Sequence, residues 1–195
     1  GVRSVDAILD YLAGRAMNDG IRFDVNVSAN LGGVLSDERE RLEFGTMLAD
    51  LTENAIIATR SAGADAVGVH ISRNGENCCL EVLDSGGPFS EDVLRNMGKK
   101  QITTHSGEGG SGIGLMTLFK ILRRNGAGLT IEEYPNGGKY TKSVRVTFDG
   151  SGRMKLITDR FDRESPFRMP LRVGRFEISR RHHAGISVSD SGVKH

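Results

Sequence analysis

Charge of one sign is scarce in this sequence. Its 26 Lys and Arg are offset by 25 Asp and Glu, a net charge of +1, so no global field favours nucleic acid or a membrane surface. Cysteine is nearly missing: the two thiols, Cys78 and Cys79, are adjacent. Neighbours on a strand point to opposite faces and rarely pair. That excludes a disulfide framework, offers no metal-ligand spacing and fits a reduced, cytoplasmic setting. No apolar run approaches the ~20 residues needed to span a bilayer, and no signal peptide is visible. The chain also lacks a starting Met, which is compatible with a piece of a longer, membrane-anchored parent. What is present is a globular composition, 37% hydrophobic and 26% charged. The length suits one domain with a real core and a short appendage.

Periodicity supplies the elements. Residues 4–19 carry Val5, Ile8, Leu9, Leu12 and Ala16 at helical spacing, ended by Gly20. IRFDVNVS (21–28) alternates as a strand with one wet face, and ANLGG after it reads as a loop. A long helix is predicted over 37–61, opened by an Asp37/Glu40 capping box, with Phe44, Met47, Leu48, Leu51, Ala55 and Ala58 as its stripe. AVGVHIS and NCCLEVLD flank Asn74-Gly75, a hairpin signal. Ser90 opens a short helix to Gly98, stapled by Phe89 and Leu94. A helix on Leu115, Leu118, Phe119 and Leu122 stops at Asn125-Gly126, and strands follow at 128–134, 142–148 and 153–158. Composition shifts after Thr158, so the chain divides into a domain over 1–158 and a basic extension over 159–195, partly ordered or mobile. In that extension LRVGRFEIS reads as an added strand or a hairpin arm. Hairpins mixed with helices favour an α+β fold. The expected form is a two-layer sandwich, a mixed, mostly antiparallel sheet covered on one face by helices.

Three stretches are chemically suggestive. GEGGSGIGL (107–115) holds five glycines in nine residues and leads into a helix. It matches G-x-G-x-x-G, but the dinucleotide reading needs a buried strand before it, and QITTHS cannot be one. A GxxxxGK[ST] loop is absent, and no HRD or DFG supports a protein-kinase glycine loop. What survives is either a surface loop or a cradle delivering Gly110, Gly112 and Gly114 to a helix N-terminus, where free N–H groups attract phosphate. LEVLDSGGPF (80–89) ends a strand in Asp84, then turns through Gly86-Gly87. Such a carboxylate either caps a turn or accepts a hydrogen bond from an adenine amino group. In LADLTENAIIATR (48–60), Asp50 and Asn54 share one shoulder of the apolar stripe, and Glu53 points away from it. That shoulder is either an ordinary polar surface or a cleft edge, where an Asn oxygen suits Mg²⁺.

In order, these three stretches resemble the nucleotide-binding motifs of the GHKL superfamily of gyrase-type ATPases, Hsp90, MutL and histidine kinases. LADLTENAIIA is similar to the N box, LDSGGPF to the first glycine box and GGSGIGL to the second, and the likeness covers roughly residues 4–158. Within the superfamily the chain most resembles the catalytic, ATP-binding domain of a sensor histidine kinase. The resemblance implies the α/β sandwich of the Bergerat type with a lid between the glycine boxes. It implies Asn54 as the Mg²⁺ ligand, Asp84 as the acceptor for the adenine amine, and Gly86, Gly110, Ser111, Gly112, Ile113, Gly114 and Leu115 around ATP. Asp50 stands where many members carry Glu or Asn, so it is a base or only an orienting group. Ile56 and Ile57 stand where many kinases carry a basic residue, which shifts phosphate neutralisation to Lys99 and Lys100, with Thr103, Thr104 and His105 as further donors. Glycine spacing also departs at Gly87-Pro88-Phe89.

The implied reaction moves the γ-phosphate of ATP to a histidine on a separate dimerisation domain, with a response regulator downstream and no nucleic acid partner. None of His70, His105, His182, His183 and His195 has the helical context of the acceptor. Two alternatives share the fold: an anti-sigma-type serine kinase, and a nucleotide-sensing module without transfer activity.

Overall fold

A computed structural model describes residues 2–35, 37–96, 113–134, 138–160 and the strand 176–179. Helix α1 (Arg3–Asn18) buries Val5, Leu9, Leu12 and Ala16, and ends where Gly20 turns to a φ of 70°. Strand β1 (Arg22–Val27) lies at the sheet edge, with Val25 and Val27 exposed. The expected loop at ANLGG instead contains one helical turn, α2 (Leu31–Val34). Leu31, its first residue, and Leu35, just after it, are both buried, so packing overrides the poor helix propensity of Gly32 and Gly33.

Helix α3 (Glu38–Ser61) is the spine of the domain. The Asp37 side chain accepts from the Glu40 N–H at 2.7 Å and the Glu40 side chain accepts from the Asp37 N–H, so both halves of the capping box form. Helix α3 meets both α1 and α5, and the same helix packs on β2 and β3 of the sheet. Strands β2 (Ala66–Asn74) and β3 (Asn77–Asp84) form the hairpin, turning at Gly75 with a φ of 60°. Ser90 Oγ accepts from the Val93 N–H to start α4 (Glu91–Asn96). Helix α5 (Ile113–Asn125) stops at Gly126, and its Arg124 and Asn125 side chains both bond to buried Glu43 of α3. Strands β4 (Gly128–Glu133), β5 (Lys142–Thr147) and β6 (Met154–Ile157) follow, and Phe176–Ser179 forms β7.

The seven strands order as β1-β2-β3-β5-β4-β6-β7. The central pairings β2–β3, β3–β5 and β5–β4 are antiparallel and carry most of the ladder. The flanking pairings β1–β2, β4–β6 and β6–β7 are parallel. Register aligns Val25, Val69, Val82, Val144, Ile131, Leu156 and Ile178 in one row across the sheet. One residue along runs a second row, Asn26, His70, Glu81, Arg145, Thr130, Lys155 and Glu177. From β1 to β6 the first row faces the helices and the second faces outward, as the period of two requires. Cys78 and Cys79 fall on opposite faces as free thiols, and burial raises the Cys78 thiol to about 11. Among the described residues no helix is long and apolar enough to cross a membrane.

Asp37→Ala removes the capping acceptor of α3. Urea unfolding is expected to show a loss of about 1 kcal/mol, with faster amide exchange confined to the first turn of the helix.

Candidate functional site

The core face of the sheet ends in charge. Following β3, β5 and β4 to one end, the apolar row Val82–Val144–Ile131 is succeeded two residues on by Asp84, Lys142 and Glu133, which are register partners. All three lie on the helix-covered side and are buried, at 3%, 3% and 5% exposure. Buried charges are tolerated when paired, and these are. Lys142 Nζ donates to Asp84 Oδ1 at 2.5 Å. Arg160, just past β6, donates through Nε and Nη2 to the Glu133 carboxylate, and Thr158 Oγ1 donates to Glu133 Oε2 at 2.7 Å.

These pairs hold the loop after β3. The Gly86 N–H donates to Asp84 Oδ1 at 2.8 Å, closing a tight turn. Thr141 Oγ1 donates to the Gly86 carbonyl at 2.5 Å, and Lys142 Nζ to the Gly87 carbonyl at 2.7 Å. Further on, the Phe89 N–H donates to Glu133 Oε1, and Arg160 Nη2 donates to the Phe89 carbonyl. Gly86 sits against α3: a Cβ there would lie 2.7 Å from the Ala58 carbonyl carbon, so only glycine admits this approach.

Between α3, this loop and the sheet lies a cavity of about 350 Å³. Its walls are mostly apolar, from Leu51, Ala55, Leu118, Ile131 and Val144 among others, and Asn54, Asp84 and Lys142 supply polar groups. A few convergent polar groups in an apolar cleft is the usual composition of a small-molecule site. Burial pushes the Asp84 carboxyl above its ordinary value, while Lys142 and the Gly86 N–H pull it back toward the ionised form. Asp84 Oδ2 and the Asn54 amide have no hydrogen-bond partner among the described residues, so both are available to a ligand.

The structure thus brings Asn54, Asp84 and the Gly86 loop together from α3 and β3. Asp50, one turn before Asn54, is half-buried without lining the cavity, and desolvation raises its carboxyl. Glu53 points to α1, with its Oε2 4.0 Å from Arg15 Nε, and so lies away from the site. Ile113, Gly114 and Leu115 open α5, whose Leu118 reaches the cavity wall. Lys99, Lys100, Thr103, Thr104, His105, Gly110, Ser111 and Gly112 lie outside the described residues, as do His182, His183 and His195. His70 is on the outer face, 4.0 Å from Glu81 and away from the cavity. Sequence reasoning missed Thr141, Lys142, Glu133 and Arg160. A Lys opening an otherwise apolar-alternating strand was the available signal, but its partner depends on strand order.

Comparison with known proteins agrees with this architecture. The sequence model of the histidine kinase-, DNA gyrase B- and HSP90-like ATPase family matches residues 39–152. The sensor protein FixL of Bradyrhizobium diazoefficiens is 30% identical over 129 residues, covering 65% of this chain and 24% of that protein. The nucleotide-free catalytic domain of the histidine kinase ThkA superposes with a TM-score of 0.57 at 19% identity, over 74% of this chain and 90% of that one. Full-length ShkA in complex with AMPPNP gives a TM-score of 0.55 at 20% identity, over 74% of this chain and 28% of that one. Identities this low establish the fold alone. The chain spans between 15% and 25% of the length of the curated relatives it matches.

Gly86→Ala forces a methyl group into the α3 backbone, whereas a Cβ at Gly87 meets nothing within 4 Å. The expected result in urea unfolding is a loss of about 1–3 kcal/mol for Gly86→Ala and a change within about 0.5 kcal/mol for Gly87→Ala.

Proposed function

Because the chain belongs to the histidine kinase-, DNA gyrase B- and HSP90-like ATPase family, we propose that it is the ATP-binding catalytic domain of a sensor histidine kinase. It holds ATP so that the γ-phosphate reaches a histidine supplied by a separate dimerisation domain. The observation that carries this reading is the convergence of Asn54 of α3 and Asp84 of β3 on one apolar cavity. The adenine ring occupies that cavity, with its amino group donating to Asp84 Oδ2. The triphosphate leads toward the N-terminus of α5, where Ile113, Gly114 and Leu115 begin the helix. Free N–H groups there, with Gly110, Ser111 and Gly112 before them, bind phosphate oxygens. Lys99 and Lys100, with the hydroxyls of Thr103 and Thr104, add charge and donors.

Asn54 fits Mg²⁺ because it lines the cavity and its side-chain oxygen is not spent on another described residue. A hard cation of this kind takes one or two protein oxygens and completes its shell with phosphate and water. Bound there, it neutralises charge on the phosphates. The imidazole nitrogen forms a bond to the γ-phosphorus as the bond to the bridging β-γ oxygen breaks, and ADP leaves. Neutral imidazole is a sufficient nucleophile, so the domain contributes positioning and charge neutralisation rather than a strong base. A response regulator then takes the phosphoryl group.

Asp50 favours a second reading. Its carboxyl stands one turn from Asn54, and burial raises it above its ordinary value, which makes it a stronger base than an exposed aspartate. Such a group suits a serine hydroxyl acceptor on a separate protein. Single-turnover transfer from labelled ATP to a histidine-bearing helix or to a serine-bearing protein separates the two acceptors.

Two substitutions test the site. At ATP 100-fold above its Kd, wild-type stability is expected to rise by about 2.7 kcal/mol, and Asp84→Asn is expected to lose nearly all of that rise. An unchanged ATP-dependent melting shift removes the adenine role of Asp84. For Asn54→Ala, ATP affinity measured with and without Mg²⁺ is expected to become the same, and a persisting Mg²⁺ dependence moves the ligand elsewhere.

A further inference from the structure

One charged group in the cavity is not used by the reading above. Lys142 opens β5 opposite Asp84, is 3% exposed and lines the same cavity. Its Nζ donates to Asp84 Oδ1 at 2.5 Å and to the Gly87 carbonyl at 2.7 Å, and lies 5.4 Å from the centroid of the Phe89 ring. An ammonium has three N–H donors and no acceptor. Two are spent on these oxygens, and no described residue takes the third. Asp84 Oδ2 is likewise left without a partner among the described residues. The cavity therefore offers a carboxylate acceptor and a cationic donor side by side, both fixed by the strand register and the Gly86 turn.

That pattern selects a particular ring edge. It needs an exocyclic amino group to donate to the carboxylate, next to a ring nitrogen with a free lone pair to accept from the ammonium. Among purines, adenine carries this pair at its 6-amino group and N1. Guanine presents the inverse, a carbonyl oxygen toward the carboxylate and an N–H toward the ammonium. Each mismatch leaves a buried polar group unpaired or repelled, which is how sites built on hydrogen bonds reject near analogues.

We propose that Lys142 is a specificity-determining residue that donates a hydrogen bond directly to N1 of adenine while Asp84 accepts from the 6-amino group. The inference rests on the ATP reading and adds a base contact to it. A purely structural Lys142, present only to neutralise Asp84, makes no contact with the ring.

The two roles are separated by titrating the 195-residue chain calorimetrically with ATP and with 1-deaza-ATP, in which a C–H replaces N1. Wild-type protein is expected to bind 1-deaza-ATP about tenfold or more weakly, because a charge-assisted bond is lost. Lys142→Met is expected to bind the two nucleotides within about twofold of each other, since the donor that tells them apart is gone. Equal wild-type affinities overturn the inference and leave the ATP reading standing. Discrimination that persists in Lys142→Met also overturns it, because another donor then meets N1. Wild-type protein that binds neither nucleotide removes the ATP reading and this inference together. Should Lys142→Met fail to fold, the wild-type ratio decides: discrimination supports the contact, and equality rejects it.

Discussion

An ion pair buried at the end of the sheet's core face, Asp84 with Lys142, sets the geometry on which the site depends. Water is almost entirely excluded from both residues. Desolvating two charges costs several kcal/mol, and removing one partner of such a pair costs about 3–5 kcal/mol. Apolar residues at the same positions would continue the Val82–Val144 row without that cost. Here the charges do something an apolar end could not. They spend Oδ1 and two ammonium protons on holding the Gly86-Gly87 turn, and leave Oδ2 of this cavity-lining acid without a partner among the described residues. The same contacts that fix the loop thus fix the acceptor.

A second buried pair steadies the other half of the loop. Glu133 sits beside Lys142 in the strand register and takes Arg160 as its own partner, so neither acid competes for one base. Arg160 and Glu133 then grip the Phe89 backbone from both its carbonyl and its N–H. Residues beyond β6 are therefore tied to the cavity edge, and β7 extends the same sheet by pairing with β6. The end of the cavity at β3, β5 and β4 is held by strands and ion pairs, whereas the phosphates are proposed to lie toward the start of α5 at Ile113. That division suits a nucleotide: shape and polarity recognition for a ring, and backbone N–H groups for flexible anions.

Family membership accounts for the architecture, and the particular residues account for the departures. Asp50 is set back from the cavity, and Ile56 is part of the core rather than of a phosphate site. His70, the one histidine among the described residues, lies on the opposite face of the sheet.

Local chemistry was legible in the sequence. The capping box at Asp37, the stripe of α3, the Gly75 hairpin and the Ser90 start of α4 each depend on contacts within a few residues, and each is formed. Asp84 at a strand end and Asn54 on the shoulder of a helix could be named for the same reason, since period and position settle where such side chains point. The helical turn at Leu31 was not legible, because packing rather than propensity creates it. Neither was the partnership of Asp84 with Lys142, 58 residues apart, nor that of Glu133 with Arg160. Those pairs exist because β5 inserts between β3 and β4 in one register, and because the chain returns past β6 beside β4. A strand's sequence states which residues share a face. Only the folded sheet chooses its neighbours and register, and so only tertiary structure could place a lysine beside the acid that the sequence had already marked.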